Sequence, residues 1–275
     1  MEDKEKRNMG EAPLYYNQCS VLVLSCDKNI GVLKIFLDFF YKNWLTCILP
    51  VYIGLEEYNL EYPNCVTLNS KETFWAARVK DYLKRINTPY VLIMLDDFII
   101  EEVVNDKTLF DTINHMMDNP EIVNMTLSNI PDSKNQTSLY KGFYKRHWAA
   151  RYLLNMQVGV WKTNVLFSLL EDNESPWQTE LYGSIRARKL KKYSFYCIVD
   201  NSFMPIKYNN GWLIVRGAWN GNEIIRLNLT NYGTEIFDGK KVLYNGFGKI
   251  SFIPRIIRRT NILLRQFCSW LNIYF

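Results

Sequence analysis

Histidine is almost missing from this chain. Only His115 and His147 occur, far apart, which leaves no material for a His-rich zinc site. Cysteine is sparse too: residues 19, 26, 47, 65, 197 and 268 form no CxxC pair and no dense framework. Reduced thiols in a cytosolic protein are therefore expected. Glycine builds no phosphate-cradling loop, and GxSxG, HExxH and kinase motifs are lacking, which removes several common enzyme classes. No run of 18 apolar residues exists, so no membrane-spanning helix is expected. Met1 to Gly10 is polar and charged, without the apolar centre of a signal peptide. No helix-turn-helix, RRM, KH or zinc-finger pattern is present, so nucleic acid is not an expected partner.

What is present suits one sizeable α/β domain: 275 residues, 48% of them apolar and 15% aromatic. The net charge of +5 is mild. Basic residues thicken at Arg186, Arg188, Lys189, Lys191 and Lys192, and again at Arg255, Arg258, Arg259 and Arg265. Such clusters suit phosphate groups or anionic lipid headgroups, although most charge runs are solvated faces.

Short, mostly apolar runs at 20–25, 51–55, 90–95 and 122–127 predict strands, buried at 20–25 and 90–95. Apolar residues at helical spacing over 30–44, 74–86 and 107–117 predict helices between them, the second ended by Thr88-Pro89. This alternation argues for a mostly parallel sheet with helices on both faces. The later half is less regular: a polar loop over 128–138, an aromatic mixture of strand and loop over 140–161, a helix over 163–170, and strands at 195–199, 212–215 and 224–227. Ser175-Pro176-Trp177-Gln178 reads as a helix start, with a Ser N-cap, Pro first and Gln three residues on. The expected organisation is a flexible tail over 1–18, a catalytic domain over 19–250 and a basic amphipathic segment over 251–275, which either docks on the core or rests on a membrane.

Asp96-Asp97 is the sharpest chemical feature. Two carboxylates after a fully apolar strand lie at the carboxyl edge of an open sheet, where α/β folds place ligands. With Mg²⁺ or Mn²⁺ between them, such carboxylates can hold a diphosphate they would otherwise repel. Asp27, after the first strand, can accept from a nucleotide or cap the following helix. Arg78 can reach a phosphate, although a surface arginine is its ordinary meaning. Glu180, one turn into the helix opened by Ser175, is the candidate general base, beside Trp177, whose indole suits a sugar ring. A first-turn glutamate favoured by the helix dipole is the alternative. Gln157 and Trp161 can line an acceptor pocket, and Arg216 with Trp219 can close on phosphate or acceptor, or all four can simply serve the structure.

In order along the chain, Ser25-Cys26-Asp27, a helix ending in Trp44, Phe74-Trp75 to Arg78, Leu95-Asp96-Asp97-Phe98, Gln157-Val158-Gly159-Val160-Trp161 and Ser175 to Glu180 resemble nucleotide-sugar glycosyltransferases of bacterial surface-polysaccharide loci. The resemblance spans roughly residues 19 to 220. It implies a GT-A-like, Rossmann-type sheet with a less regular acceptor-side half. It implies a UDP-linked sugar donor bound by Asp27, Arg78, Asp96 and Asp97, and Mn²⁺ or Mg²⁺ at Asp96 and Asp97. It further implies Glu180 as base, and a glycan acceptor on a lipid diphosphate at the cytoplasmic face, met by Gln157, Trp161, Trp177 and Trp219. The family's spaced Asp-x-Asp is replaced here by a contiguous pair. A nucleotidyltransferase on a similar sheet, or a glycan-binding protein without turnover, are the alternatives.

Overall fold

The computed structural model describes residues 15–130, 139–209, 213–233, 235–237 and 239–244. Among them, nine strands form one sheet: β1 (Cys19–Leu24), β2 (Val51–Leu55), β3 (Val66–Asn69), β4 (Tyr90–Leu95), β5 (Ile122–Thr126), β6 (Leu139–Tyr140), β7 (Phe143–Lys145), β8 (Gly159–Lys162) and β9 (Ser194–Ile198). Their order is β3-β2-β1-β4-β8-β5-β9-β7-β6. β3, β2, β1 and β4 are mutually parallel, as are β5 and β9. Only β7 and β8 run against the rest. The mostly parallel α/β fold expected from the sequence is the fold observed.

The layering follows from strand alternation. In β1, Cys19, Val21 and Val23 enter one core and Leu22 enters the other; in β4, Leu92 and Met94 oppose Val91 and Ile93 in the same way. Helices α1 (Ile30–Asn43) and α3 (Asp106–Asp118) cover the first face through Phe36, Phe40, Leu109 and Ile113. Helices α2 (Trp75–Arg85) and α4 (Thr163–Leu169) cover the second through Val79, Tyr82, Val165 and Leu166. Both sheet faces are thus apolar, which is why the central strands read as continuous hydrophobic runs.

Two expectations change, and one strand was not expected. The strand expected at 224–227 is a helix, Gly221–Arg226, whose first turn is capped by the Asn220 side chain. Ile224 is buried there while Ile225 faces solvent, so the apolar pair belongs to a helical face and not to a strand. The expected tail over 1–18 is engaged from Tyr15 onward: Tyr15 stacks on Phe110, and Tyr90 N–H donates to the Gln18 carbonyl. Val66–Asn69, a parallel edge strand, carried no sequence signal because its residues are largely half-exposed. Residues 1–14 and the basic segment expected over 251–275 lie outside the described residues.

A small second sheet joins Ile214–Val215, Ala218–Asn220 and Val242–Leu243. Its hairpin turns on Arg216 and Gly217, both with positive φ, 54° and 77°. Two left-handed residues in succession match the twist of a two-residue hairpin, and glycine takes the second position without steric cost.

Candidate active site

Asp96 and Asp97 leave β4 at its carboxyl end, beside the end of β1. The backbone joins the two exits, with Asp96 N–H donating to the Leu24 carbonyl at 3.2 Å. Ser25, the first residue past β1, donates its hydroxyl to Asp96 Oδ2 at 2.6 Å. The following residues turn inward: Phe98, Ile99 and Ile100 are all buried. Segment 205–209 straps them, through Glu101 N–H to the Lys207 carbonyl and Ile99 N–H to Asn209 Oδ1. The acidic pair is therefore fixed on both sides rather than carried on an open turn.

Burial pushes the Asp96 carboxyl up to about 6, against hydrogen bonds from Ser25 and Asn29 and the charge of Lys240. Asp97 is raised well above the ordinary carboxylate range by burial and by the charge of Asp96. The Cys26 thiol nearby is pushed up to about 11 by burial, with Asp96 and Glu56 adding to the effect. The charge of Asp96 thus reaches both Asp97 and Cys26, on top of burial. Among the described residues, no cluster of three or more His, Cys, Asp or Glu is arranged to hold a metal. Two carboxylates nevertheless fit Mg²⁺ or Mn²⁺ when substrate phosphates complete the shell, since such ions often take only one or two protein carboxylates. The mutual repulsion of the pair is what a divalent cation would relieve.

Asp27 does not cap α1; its carboxylate is held by the loop after β2. Its Oδ1 accepts from Glu56 N–H at 3.1 Å, and its Oδ2 accepts from the N–H groups of Glu57 and Tyr58, each at 3.0 Å. Its own N–H donates to Glu56 Oε2. Arg78 pairs with Glu56 Oε1 at 3.2 Å and donates to the carbonyls of Glu72 and Thr73. Glu56 thus links two expected ligand residues into one brace that shapes the loop after β2.

Glu180 sits where the sequence grammar puts it. Ser175 and Gln178 form the reciprocal cap, with Gln178 N–H donating to Ser175 Oγ and Ser175 N–H to Gln178 Oε1. The helix then widens into a π turn, Thr179–Gly183, before Ser184–Lys189. Gly183 packs closely there: a Cβ would come within 2.8 Å of Leu154 Cδ1. That close approach lets Glu180 Oε1 accept from Met156 N–H at 2.8 Å. β8 pairs antiparallel with β4, Ile93 opposite Gly159. The chain just before Gly159, bent at residues 157 and 158, thus lies toward the end of the sheet that Asp96 and Asp97 leave. Glu180 and the acidic pair therefore serve the same sheet edge. Burial raises the Glu180 pKa above its ordinary value, while the Met156 N–H acts in the opposite direction.

The four expected acceptor residues part company. Gln157 is half-buried next to Met156, its Oε1 accepting from Tyr208 O–H at 2.9 Å. Trp177 is 71% exposed, one turn before Glu180. Trp161 and Trp219 are corrections. Trp161 lies inside the second core, edge-on to Phe195, and Trp219 is fully buried, its indole N–H donating to the Phe237 carbonyl. An indole walled in by protein offers no face to a sugar. Sequence reasoning missed Ser25, Asn29, Glu56 and Lys240. The last reaches the Lys28 carbonyl from 212 residues away in sequence, and its charge acts on Asp96, a proximity no local pattern encodes.

No family model and no curated protein sequence matches the chain. Among solved structures, the chain is similar to a mannosyltransferase from Pyrobaculum calidifontis in complex with GDP-Man and Mn²⁺, at 11% identity and TM-score 0.49, covering 97% of this chain and 81% of that one. It is also similar to S. aureus TarS 1–349 in complex with UDP-GlcNAc, at 12% identity and TM-score 0.42, covering 66% of this chain and 58% of that one. A UDP-glucose pyrophosphorylase complexed with UDP-glucose gives 8% identity and TM-score 0.44, over 66% and 90%. The chain spans about three-fifths of the TarS structure it matches. At these values the likenesses carry no argument about chemistry.

Proposed function

We propose that this chain is a glycosyltransferase that moves a sugar from a nucleotide-diphosphate donor, UDP-linked in the first instance, to a hydroxyl of a glycan acceptor. The observation that carries the reading is a pair of carboxylates, Asp96 and Asp97, at the exit of β4, at the sheet edge that Glu180 also serves. Mn²⁺ or Mg²⁺ held by that pair would neutralise the donor diphosphate and stabilise it as a leaving group. Glu180 takes the proton from the acceptor hydroxyl as its oxygen bonds to C1 and the C1–O bond to the diphosphate breaks, giving inversion. Ser25 and Asn29 fix the Asp96 carboxyl, and the Met156 N–H fixes that of Glu180. Gln157 and exposed Trp177 meet the acceptor. Asp27, Glu56 and Arg78 act on the nucleotide side by setting the loop after β2.

The acceptor in this reading is a growing surface polysaccharide on a lipid diphosphate at the cytoplasmic face. Residues 251–275 would supply peripheral contact with an anionic membrane. No helix among the described residues is long and apolar enough to cross one.

The test is to incubate the protein with UDP-sugars and Mn²⁺ and measure free nucleoside diphosphate and pyrophosphate. The proposal expects nucleoside diphosphate, with turnover abolished in Asp97→Ala while the circular dichroism spectrum is unchanged. Pyrophosphate release would identify a nucleotidyltransferase instead. Failure of every UDP-sugar to bind in calorimetry would point to glycan binding without turnover.

A further inference from the structure

One side-chain amide near the acidic pair is locked by its neighbours, and its orientation restricts what it can recognise. Gln157 is held through backbone and side chain alike. Its N–H donates to Asn155 Oδ1 at 3.2 Å, and its Oε1 accepts from the Tyr208 hydroxyl at 2.9 Å. Tyr208 is fixed in turn. It is buried, its ring centroid lies 4.8 Å from that of Phe98, and its backbone bridges antiparallel to Ile100. Phe98 directly follows Asp97, so one chain of contacts runs from the acidic pair to the Gln157 amide.

An amide turned over about its last bond exchanges a donor end for an acceptor end, and only its hydrogen bonds decide which end lies where. Here the phenol decides. Burial raises the Tyr208 hydroxyl, while Ser128 and the Val158 N–H, as hydrogen-bond donors, act in the opposite direction. A phenol oxygen that already receives donors has its own proton to place, and Gln157 Oε1 takes it. The amide nitrogen is the end left over. Gln157 Nε2 donates to no described residue, and it is not among the polar atoms buried without a partner. It therefore remains within reach of a ligand and offers donors only.

We propose, resting on the sugar-transfer reading, that the acceptor is an N-acylated amino sugar whose acyl carbonyl oxygen accepts from Gln157 Nε2, with Tyr208 as the positioning residue that sets this specificity. Asp96, Asp97 and Glu180 already supply acceptors at this edge, and those suit sugar hydroxyls. An acyl oxygen needs the opposite, a donor, and has no proton of its own to place. A hydroxyl in the same position would need a second partner for its proton. A uronic acid carboxylate could also accept, but its charge would face three carboxylates. The neutral acyl group escapes both costs.

The test is calorimetry of the full chain with Mn²⁺ and UDP, using paired methyl glycosides. The pairs are N-acetylglucosaminide with glucoside, N-acetylgalactosaminide with galactoside, and N-acetylmannosaminide with mannoside. In at least one pair the N-acetyl member should bind about tenfold or more tightly, since its partner leaves the amide donors unmatched. Tyr208→Phe keeps a ring against Phe98 but releases the amide, so that ratio should fall below about threefold; Gln157→Leu should have the same effect. A residue needed only for structure would weaken both members together and leave the ratio alone. Nucleoside diphosphate release from UDP-sugars, measured separately, keeps the two readings apart. Turnover without an N-acetyl preference sinks the acceptor assignment alone, whereas no turnover of any UDP-sugar sinks the transfer reading and the acceptor role with it. Failure of every N-acetyl glycoside to bind, equal binding within all pairs, or a wild-type ratio in Tyr208→Phe would each overturn the proposal.

Discussion

Replacing Asp96 by Asn should make the protein more stable and inactive at once. Asp96 is buried, and its carboxyl is raised from 3.8 to about 6 chiefly by desolvation. A carboxyl whose pKa is higher in the folded state favours folding while protonated. That contribution is complete below 3.8 and is lost as pH rises through about 6. The loss amounts to roughly 3 kcal/mol, at ~1.4 kcal/mol per pH unit. Asn does not titrate, can still accept the Ser25 hydroxyl that now bonds Oδ2, and removes the charge that raises Asp97. In EDTA, Asp96→Asn should therefore melt roughly 6–12 °C above the wild type at pH 8, using ~2–4 °C per kcal/mol. The gap should shrink as pH falls below 6, to about a third by pH 4.5, and close only below about 3.8. Differential scanning calorimetry across that range measures it. With Mn²⁺ and UDP at pH 8 the order should change, because only the wild type gains stability from ligand binding. A variant less stable than the wild type at pH 8, or a gap independent of pH, would refute the account of a strained acidic pair.

Glu180→Gln should lower transfer by about 10²–10⁴-fold with little change in donor KM, since Gln can still accept the Met156 N–H. In the wild type, the rate should rise with pH through a midpoint above the ordinary 4.5, because a base must be ionised and burial raises this carboxyl; an unshifted midpoint would deny Glu180 the role. Arg186→Ala should cost about 3–5 kcal/mol in urea unfolding, because it strands Glu174, which accepts two bonds from Arg186, at 2.7 and 2.6 Å, in a buried setting. Trp161→Ala should cost a similar ~3–5 kcal/mol as a core cavity, whereas Trp177→Ala should change stability by less than about 0.5 kcal/mol while raising acceptor KM. Equal effects of the two tryptophan changes on stability would contradict their assigned positions.

Some of this was legible because local rules carried it. The apolar runs at β1, β2, β4 and β5 are buried on both faces, so period and length alone mark them, and the Ser175–Gln178 cap is written in four consecutive residues. The later half resisted for the same reason reversed. β6 and β7 are two and three residues long, too short for a period to register. β8 runs against both neighbours and is set by pairing with strands distant in sequence. Aromatic residues mislead in a different way. Trp161, Trp177 and Trp219 look alike in sequence, yet two fill cores and one faces solvent, because the surrounding chain decides which indole is left uncovered.

The antiparallel entry of β8 between β4 and β5 does more for the site than any single residue. A strand running with its neighbours would present its carboxyl end at the acidic edge and carry residues 156–158 to the far side of the sheet. Reversed, β8 begins at that edge, so Met156 and Gln157 arrive beside the exit of β4. The following helix, α4, returns the chain so that the Ser175-capped segment lies across them. Glu174 fixes this crossing twice, by accepting Ala76 N–H at its carbonyl and by its pair with Arg186. The position of Glu180 is thus a consequence of strand direction and a buried ion pair, neither of which touches the reacting atoms. A change at Arg186 should therefore displace the Glu180 carboxylate as well as destabilise the fold, and Arg186→Lys, which restores charge without the two-pronged bond, should recover stability further than it recovers transfer. Equal recovery of both would show that the pair supports the fold alone.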